Sequence, residues 1–386
     1  MSFMEKKLNI KAFLVPLICV ALIVISNSPI LTYISIKLKA DGIPKSIIGL
    51  NHSFFYGGFV IGSFIAEKFI KKLGFSKTFT IFTLGYLFSI IVQSLYINVY
   101  FWFPVRLVSG LCIGLLYIVI ESWLVIDSTS LTRGRILSVY MLVFYASQSF
   151  SQVLIKFVNI HNLSPFYLFG SIGVLALVPI IVLKKPKKMM SEELEHNFKL
   201  KNLIISAPFA SISAFIAGLI LSSIYSFTPI YASDNHLIPH YLTAATIAGG
   251  FVFQWPIGLL SDKINRKRVL RITALLLLFP SLIMFLLPYN KIFIYSLSFL
   301  IGGLGFTIYP LCITNACDKV SPQNIPFALG TLAFLYGIGA MLGPTISAIF
   351  MKHSSSGMYL FLAFCAFFIF LFGFVFKKDK CNFNQN

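Results

Sequence analysis

Twelve apolar blocks, separated by short polar gaps, are the feature that most constrains what this chain can fold into. A helix needs about 20 apolar residues to cross the hydrocarbon core of a bilayer. Lipid offers no hydrogen bonds to the backbone, so blocks of this kind form helices. We therefore predict an all-α integral membrane protein with transmembrane helices at roughly 12–36, 46–66, 77–97, 101–123, 136–158, 165–183, 203–231, 241–260, 269–288, 292–314, 327–351 and 357–376.

The composition excludes several classes of protein. Charged residues make up 11% of the chain, whereas a soluble domain carries roughly a quarter. The net charge of +19 lies in the gaps between apolar blocks rather than on one soluble face, so we predict no nucleic-acid partner. The chain has no phosphate-binding GxxxxGK[ST] loop, no nucleophile elbow and no CxxC pair. We therefore predict no enzyme activity, no cofactor and no metal site.

The longest polar gap, residues 184–202, divides the chain into two halves, residues 1–183 and 203–386. Aligning Tyr117 with Tyr309, an offset of 192 residues, also brings Gly110 onto Gly302. The same offset superposes the basic stretches that follow the second and eighth blocks. This weak repeat predicts two pseudo-symmetric six-helix halves, the architecture of alternating-access transporters.

The distribution of basic residues predicts the orientation. With both termini in the cytoplasm, 24 of the 31 Lys and Arg residues fall on the cytoplasmic side. This asymmetry fits the positive-inside rule and predicts a multi-pass inner-membrane protein. Lys37, Lys39 and Lys45 in the first outer loop run against the trend.

A basic segment with one acid, GLLSDKINRKR, follows the eighth block. We expect its glycine to allow a close helix approach, and Asn265 to adopt the left-handed conformation often given to glycine. An ion-pair cluster at this helix junction can form in one conformation and break in another; a static membrane anchor is the alternative. The proposed gating residues of this segment are Gly258, Asp262, Lys263, Arg266 and Lys267.

The matching segment of the first half keeps Gly74 but has Lys71 where the aspartate is expected. Glu67, one helical turn earlier, is a candidate substitute for that acid. In the eleventh block, Gly343 and Pro344 allow close packing and a bend, which makes them further gating candidates.

Arg106 lies inside the fourth block, where an arginine costs roughly 2.5–3.5 kcal/mol unless it faces a cavity or a partner. At 100° per residue it shares one helical face with Tyr117 and Glu121. Arg106 can handle an anion or a proton, or pair structurally with a carbonyl. Glu121 can carry a coupled proton, or form an ion pair with Arg133 and Arg135.

Other polar residues within the blocks are weaker candidates for the cavity. Gln148 and Gln152 belong to a polar stripe that either binds a polar solute or packs against other helices. His52 can serve as a hydrogen-bonded structural histidine, with a proton-binding role near neutral pH as the alternative. The remaining candidates for substrate binding or coupling are Asn27, Gln254 and Tyr309.

Residues 254–271, QWPIGLLSDKINRKRVLR, resemble the loop signature G-x-L-x-D-R-x-G-R-K/R of the major facilitator superfamily. The fourth block, with Arg106, Gly110 and Gly114, resembles its second signature, and residues 118–155 resemble the YcaD-type branch. The fifth block lacks the G-x-x-x-G-P motif of many drug antiporters in the family, with Ser151 and Gln152 in its place. The resemblance implies the major facilitator fold, a cavity between the halves that opens to one side at a time, and a monomer.

We therefore predict a secondary active transporter that moves a small organic solute across the cytoplasmic membrane, coupled to protons. Uptake and efflux both remain open. A solute-binding membrane receptor without transport is the alternative from a different class.

Overall fold

The computed structural model describes residues 10–126, 133–159, 164–182, 200–286, 290–320 and 325–375, and the side chains of a few residues beside the gaps are left out. The described part is helical, with short connections. The α-helices are α1 (Ile10–Ala40), α2 (Lys45–Leu95), α3 (Val99–Ile126), α4 (Arg133–Val153), α5 (Ser164–Leu175), α6 (Val178–Val182), α7 (Leu200–Ser206), α8 (Pro208–Asp234), α9 (Pro239–Lys263), α10 (Arg266–Leu286), α11 (Lys291–Cys317), α12 (Ile325–Phe350) and α13 (Gly357–Val375).

Every predicted block corresponds to helix. Nine helices of the described residues are long and apolar enough to cross a membrane, and one of them, α2, is 51 residues long. The sixth block is divided into α5 and α6, and α7 precedes the seventh. The predicted twelve-helix membrane architecture is confirmed.

The helix α2 accounts for two of the predicted blocks because the chain folds back on itself at Gly74. This residue leaves the helical conformation, with φ 76° and ψ 166°, a region that glycine adopts without the steric cost of a β-carbon. The rings of Phe69 and Phe82 lie 5.0 Å apart, whereas thirteen residues of straight helix would separate them by roughly 20 Å. The Thr78 hydroxyl also donates to the carbonyl of Phe69 at 3.0 Å. We call residues 45–73 the first arm and residues 75–95 the second arm of α2.

Two compact units make up the chain. One comprises residues 1–30 and 58–192, and the other comprises residues 31–57 and 193–386. Residues 184–199 of the predicted dividing segment lie outside the described residues, and residues 200–202 belong to α7. The segment 31–57, which covers the end of α1 and the start of α2, groups with the C-terminal residues because it packs against α8 and α12, as described below.

The same helix contact occurs once in each unit. A β-carbon at Gly58 would lie 1.9 Å from the carbonyl oxygen of Leu107, and one at Gly249 would lie 1.9 Å from that of Phe299. Leu107 and Phe299 differ by the 192 residues of the sequence repeat. In both units the two helices touch backbone to backbone close to the positions that the repeat relates, with Gly58 and Gly249 separated by 191 residues, one fewer than the offset of the repeat. Such contacts are the small-residue packing common in membranes. The two pseudo-symmetric halves are thus visible in their contacts.

Candidate functional site

Three consecutive polar residues of α1 form the centre of a buried network in the N-terminal unit. The Ser26 hydroxyl donates to the carbonyl of Phe169 in α5 at 2.7 Å. The Tyr86 hydroxyl lies 3.2 Å from the oxygen of Ser26. Ser28 accepts a hydrogen bond from the Gln152 amide in α4 at 2.8 Å. Polar groups in lipid must find protein partners, so each of these contacts ties α1 to a different element.

Asn27 continues this network into α3, where it hydrogen-bonds Tyr117. One turn beyond Tyr117, the Glu121 carboxylate accepts a hydrogen bond of 2.9 Å from the Tyr140 hydroxyl of α4. Glu121 is half-buried and Tyr140 is buried. The network therefore ends in a carboxyl group whose described hydrogen-bond donor is a neutral phenol.

Arg106 has no solvent-exposed surface and lies close enough to Tyr86 for electrostatic interaction. Gln148 is also buried. The predicted partners of Glu121, the side chains of Arg133 and Arg135, lie outside the described residues. The predicted ion pair with Glu121 therefore stays a prediction.

A charge cluster lies at one end of the C-terminal unit. The carboxylate of Asp234, the last residue of α8, forms ion pairs with Lys39 and with Lys45, the latter at 2.9 Å. Lys39 and Lys45 come from the end of α1 and the start of α2, and each of the three side chains is about a quarter exposed. We call these three residues the Asp234 cluster. Together with the pair between Lys37 and Asp41 at 2.5 Å, it partly neutralises the lysines that ran against the charge asymmetry.

Hydrogen bonds next to the cluster hold the same segment to α8 and α12. Ser35 donates to the carbonyl of Ser226 at 2.9 Å, and its hydroxyl lies 2.8 Å from Nε2 of the buried His52. The hydroxyls of Ser53 and Thr345 lie 2.8 Å apart.

Backbone contacts also join this segment to α12, and α12 to α8. A β-carbon at Gly49 would lie 2.6 Å from the carbonyl oxygen of Pro344, and one at Gly343 would lie 2.2 Å from the Ser222 hydroxyl of α8. The predicted gating residues of the eleventh block thus lie at close helix contacts.

In the basic segment between α9 and α10, the acid that pairs most closely with Arg266 is not the predicted Asp262. Arg266 donates to Asp318, at the end of α11, at 2.8 Å and to the carbonyl of Thr314 at 2.9 Å. Asp262 is mostly exposed and lies 3.6 Å away. Lys263 is exposed, and the ammonium group of Lys267 lies 5.7 Å from the ring centre of Phe209. Arg266 therefore lies closer to Asp318, which is distant in the sequence, than to the predicted partner Asp262.

Two expectations for this segment were wrong. Asn265 does not have a positive φ; His236 is the non-glycine residue with one among the described residues. Asn265 instead caps α10, because its side-chain oxygen accepts from the backbone N–H of Lys267 at 3.0 Å. Gly258 does not mark a close helix contact, because a β-carbon there would meet no described atom within 4 Å.

Gly258 borders a cavity on α9 and α11, together with Gln254. Tyr309 faces another part of the unit, with its ring 4.6 Å from that of Tyr336 in α12. In the N-terminal unit, Glu67 pairs with Lys71 at 2.7 Å within the exposed end of the first arm of α2.

Sequence reasoning did not find Asp234, Asp318, Tyr140, Ser26 or Ser28. Asp234 and Asp318 lie at helix ends, and Ser26 and Ser28 flank Asn27 in the chain. Tyr140 lies inside α4. Each of the five acts through a partner on another helix. The signals that could have indicated the first two are the excess lysines of the first outer loop and the scarcity of acids near the basic segment.

These features define a class of protein: a polytopic helical membrane transporter with two repeated halves and buried polar residues inside its spans. The profile of the Major Facilitator Superfamily matches residues 17–244 and 236–381, so the chain belongs to that family. It is a transporter-family protein and not an enzyme.

Among its relatives is the uncharacterized MFS-type transporter YcaD of Escherichia fergusonii, 26% identical over 348 residues, which cover 88% of this chain and 89% of that protein. YcaD of Salmonella arizonae is also 26% identical, over 349 residues and the same shares. The fold is similar to that of the xylose transporter XylE from E. coli in its inward-open conformation, with a TM-score of 0.78, 14% identity and 96% of each chain covered. The fold is also similar to that of the nucleoside transporter NupG, with a TM-score of 0.74 and 14% identity, over 95% of this chain and 97% of the NupG chain.

Proposed function

We propose that the protein is a proton-coupled secondary transporter of a small organic solute, and that Glu121 carries the coupled proton. The observation that carries this proposal is the contact between Glu121 and Tyr140 at 2.9 Å inside the N-terminal unit. A cation would hold a carboxylate ionised. The donor to Glu121 among the described residues is a neutral hydroxyl, which leaves the carboxyl group able to alternate between its protonated and ionised forms, as coupling requires.

The polar network around Asn27 and Tyr117 supports the same proposal. Tyr117 lies between Glu121, one turn away on α3, and Asn27, its hydrogen-bond partner on α1. A change in the charge of Glu121 is therefore felt by side chains on α1 and α4 as well as α3. Such a shared network can link protonation to a shift in the population of two conformations.

Two ion-pair groups at helix ends are proposed as gates. With both termini in the cytoplasm, the Asp234 cluster lies on the outer side, and the pair of Arg266 with Asp318 lies on the cytoplasmic side. We assign the first group to closing the outer access and the second to the inner latch. Partly exposed ion pairs are suited to this role, because each contributes only about 1 kcal/mol or less and can be exchanged for hydration.

Glu121→Gln is expected to uncouple transport while leaving the network in place, because glutamine keeps an oxygen that accepts from Tyr140 but cannot release a proton. The measurement is solute flux into proteoliposomes with an imposed pH gradient, screening a mixed metabolite pool by mass spectrometry. Wild type should accumulate the solute several-fold, whereas the variant should only exchange it across the membrane at equal concentrations.

Asp41→Asn is the matched control, since it makes the same chemical change at an exposed ion pair with Lys37. It should accumulate solute as wild type does. Accumulation by Glu121→Gln at the wild-type level would show that Glu121 is structural and that coupling, if present, lies elsewhere. Binding without flux in wild type would favour the receptor function over transport.

A further inference from the structure

A cavity of about 120 Å³ lies between α9 and α11 within the C-terminal unit. Its size suits one part of a small solute, since sites for whole drug-sized ligands measure roughly 300–1,000 Å³. The polar lining side chains are Gln254, Ser261, Thr307 and Thr314.

The hydroxyl protons of this lining are already used within their own helices. Ser261 donates to the carbonyl of Gly258 at 2.7 Å, Thr307 donates to that of Leu304 at 2.8 Å, and Thr314 donates to that of Leu311 at 3.0 Å. A hydroxyl oxygen that has donated its proton still has lone pairs to accept with. These three groups therefore face a ligand as acceptors.

One further oxygen adds to the acceptors. The side-chain oxygen of Gln254 is buried and has no hydrogen-bond partner among the described residues. The Gln254 amide supplies the one side-chain N–H donor of the described lining, so acceptors outnumber donors.

Among the described residues, the lining contains no acidic or basic side chain. Arg266 donates a hydrogen bond to the backbone carbonyl of the lining residue Thr314, and its charge is paired with Asp318. Burying an ion without a counter-charge is costly, so a free ammonium or carboxylate group does not suit this cavity. Neutral hydroxyl groups do, because each brings a proton for an acceptor, while Ile257 and Leu311 can pack against C–H groups.

We propose that this cavity is a subsite for the uncharged, hydroxylated part of the solute, with Gln254 as its specificity-determining residue. The inference rests on the proposed transport function, and it narrows the solute to a polyol-like class. It does not depend on proton coupling.

The test measures the binding of small probes to the purified protein in detergent, without a gradient, by saturation-transfer-difference NMR. The probes are erythritol, its carboxylate erythronate and its amine 1-amino-1-deoxyerythritol, which share one carbon skeleton. Erythritol should bind, and the two charged analogues should bind at least about 10-fold more weakly. Gln254→Leu should weaken erythritol binding by about 5- to 10-fold, the effect of losing one neutral hydrogen bond.

Two glycine variants separate occupancy of the cavity from general damage. Added β-carbons at Gly258 and at Gly330 both meet no described atom within 4 Å, but only Gly258 lines the cavity. Gly258→Leu should abolish erythritol binding, and Gly330→Leu should leave it unchanged, with both proteins eluting as wild type does.

No binding of erythritol to wild type, equal binding of the charged analogues, or unchanged binding in Gly258→Leu would each overturn the inference. Gradient-driven transport of a solute without hydroxyl groups, unaffected by Gln254→Leu, would overturn it while leaving the proposed function intact. Erythritol binding in a protein that transports without proton coupling would leave the inference standing while the proposed coupling through Glu121 fails.

Discussion

Replacing Gly302 with alanine is expected to prevent stable folding of the C-terminal unit. The added β-carbon would lie 1.8 Å from the carbonyl oxygen of Thr246 in α9, whereas carbon and oxygen atoms in contact lie well above 3 Å apart. The helices α9 and α11 would have to separate along their whole contact. Overpacking typically costs 1–3 kcal/mol even where side chains can adjust, and here the obstacle is backbone, so we expect a loss above about 3 kcal/mol.

The measurement is thermal unfolding in detergent, together with size-exclusion chromatography. Gly302→Ala should yield aggregated protein or a midpoint lowered by roughly 10 °C or more. Gly330→Ala, the same change at an open helical position of α12, should match or slightly exceed wild type because alanine favours helix over glycine. A Gly302→Ala protein as stable as wild type would contradict the close contact between these helices.

Replacing Asp234 with asparagine is expected to have the second largest effect, on conformation rather than folding. In the wild-type protein Lys39 and Lys45 share the carboxylate of Asp234. The substitution removes this negative charge and leaves the two lysines as neighbouring cations. Because the side chains are about a quarter exposed, water and salt screen the loss. We therefore expect about 1–2 kcal/mol, well below the 3–5 kcal/mol of a fully buried pair.

The readout is the rate at which a water-soluble thiol reagent labels Ser53→Cys. Ser53 is buried beside Thr345, so labelling requires the segment 31–57 to move away from α12. The background protein lacks the six native cysteines. Asp234→Asn should raise the labelling rate about 5- to 30-fold, the factor that corresponds to 1–2 kcal/mol.

Charge reversal gives the decisive comparison. Lys39→Asp combined with Asp234→Lys keeps the net charge of the cluster and restores an attraction to both lysines, at positions 45 and 234. It should return the labelling rate toward wild type, and Asp41→Asn should leave the rate unchanged. If the reversed pair labels as fast as Asp234→Asn, the segment is held by packing and hydrogen bonds rather than by charge.

The extent of the helices was predictable from sequence because it depends on local properties. Apolar length, the absence of charge and the placement of basic residues all act within a single block, and lipid leaves the backbone no alternative to helix. The turn at Gly74 belongs to the same group, since a glycine among lysines at a block boundary is a local signal.

The candidate site was only partly predictable. The sequence indicated Asn27, Tyr117, Glu121 and Gln152 as polar residues within spans, but not the partners that join them. Ser26 and Ser28 could not be singled out from the sequence, because serine is common in membrane helices and its hydroxyl can donate to a backbone carbonyl of its own helix. Gly258 was misjudged for a related reason, since one sequence cannot distinguish a glycine that admits a helix from one that borders a cavity.

The amino-acid sequence by itself determined a multi-helix membrane protein of two repeated halves, because hydrophobic length and charge asymmetry are properties of short segments. Only the tertiary structure decided which charges and hydroxyls meet. Asp234 meets Lys39 across 195 positions of sequence, and Arg266 meets Asp318 across 52. The energy of such pairs depends on distance and burial in three dimensions, and neither quantity is written in the order of the residues.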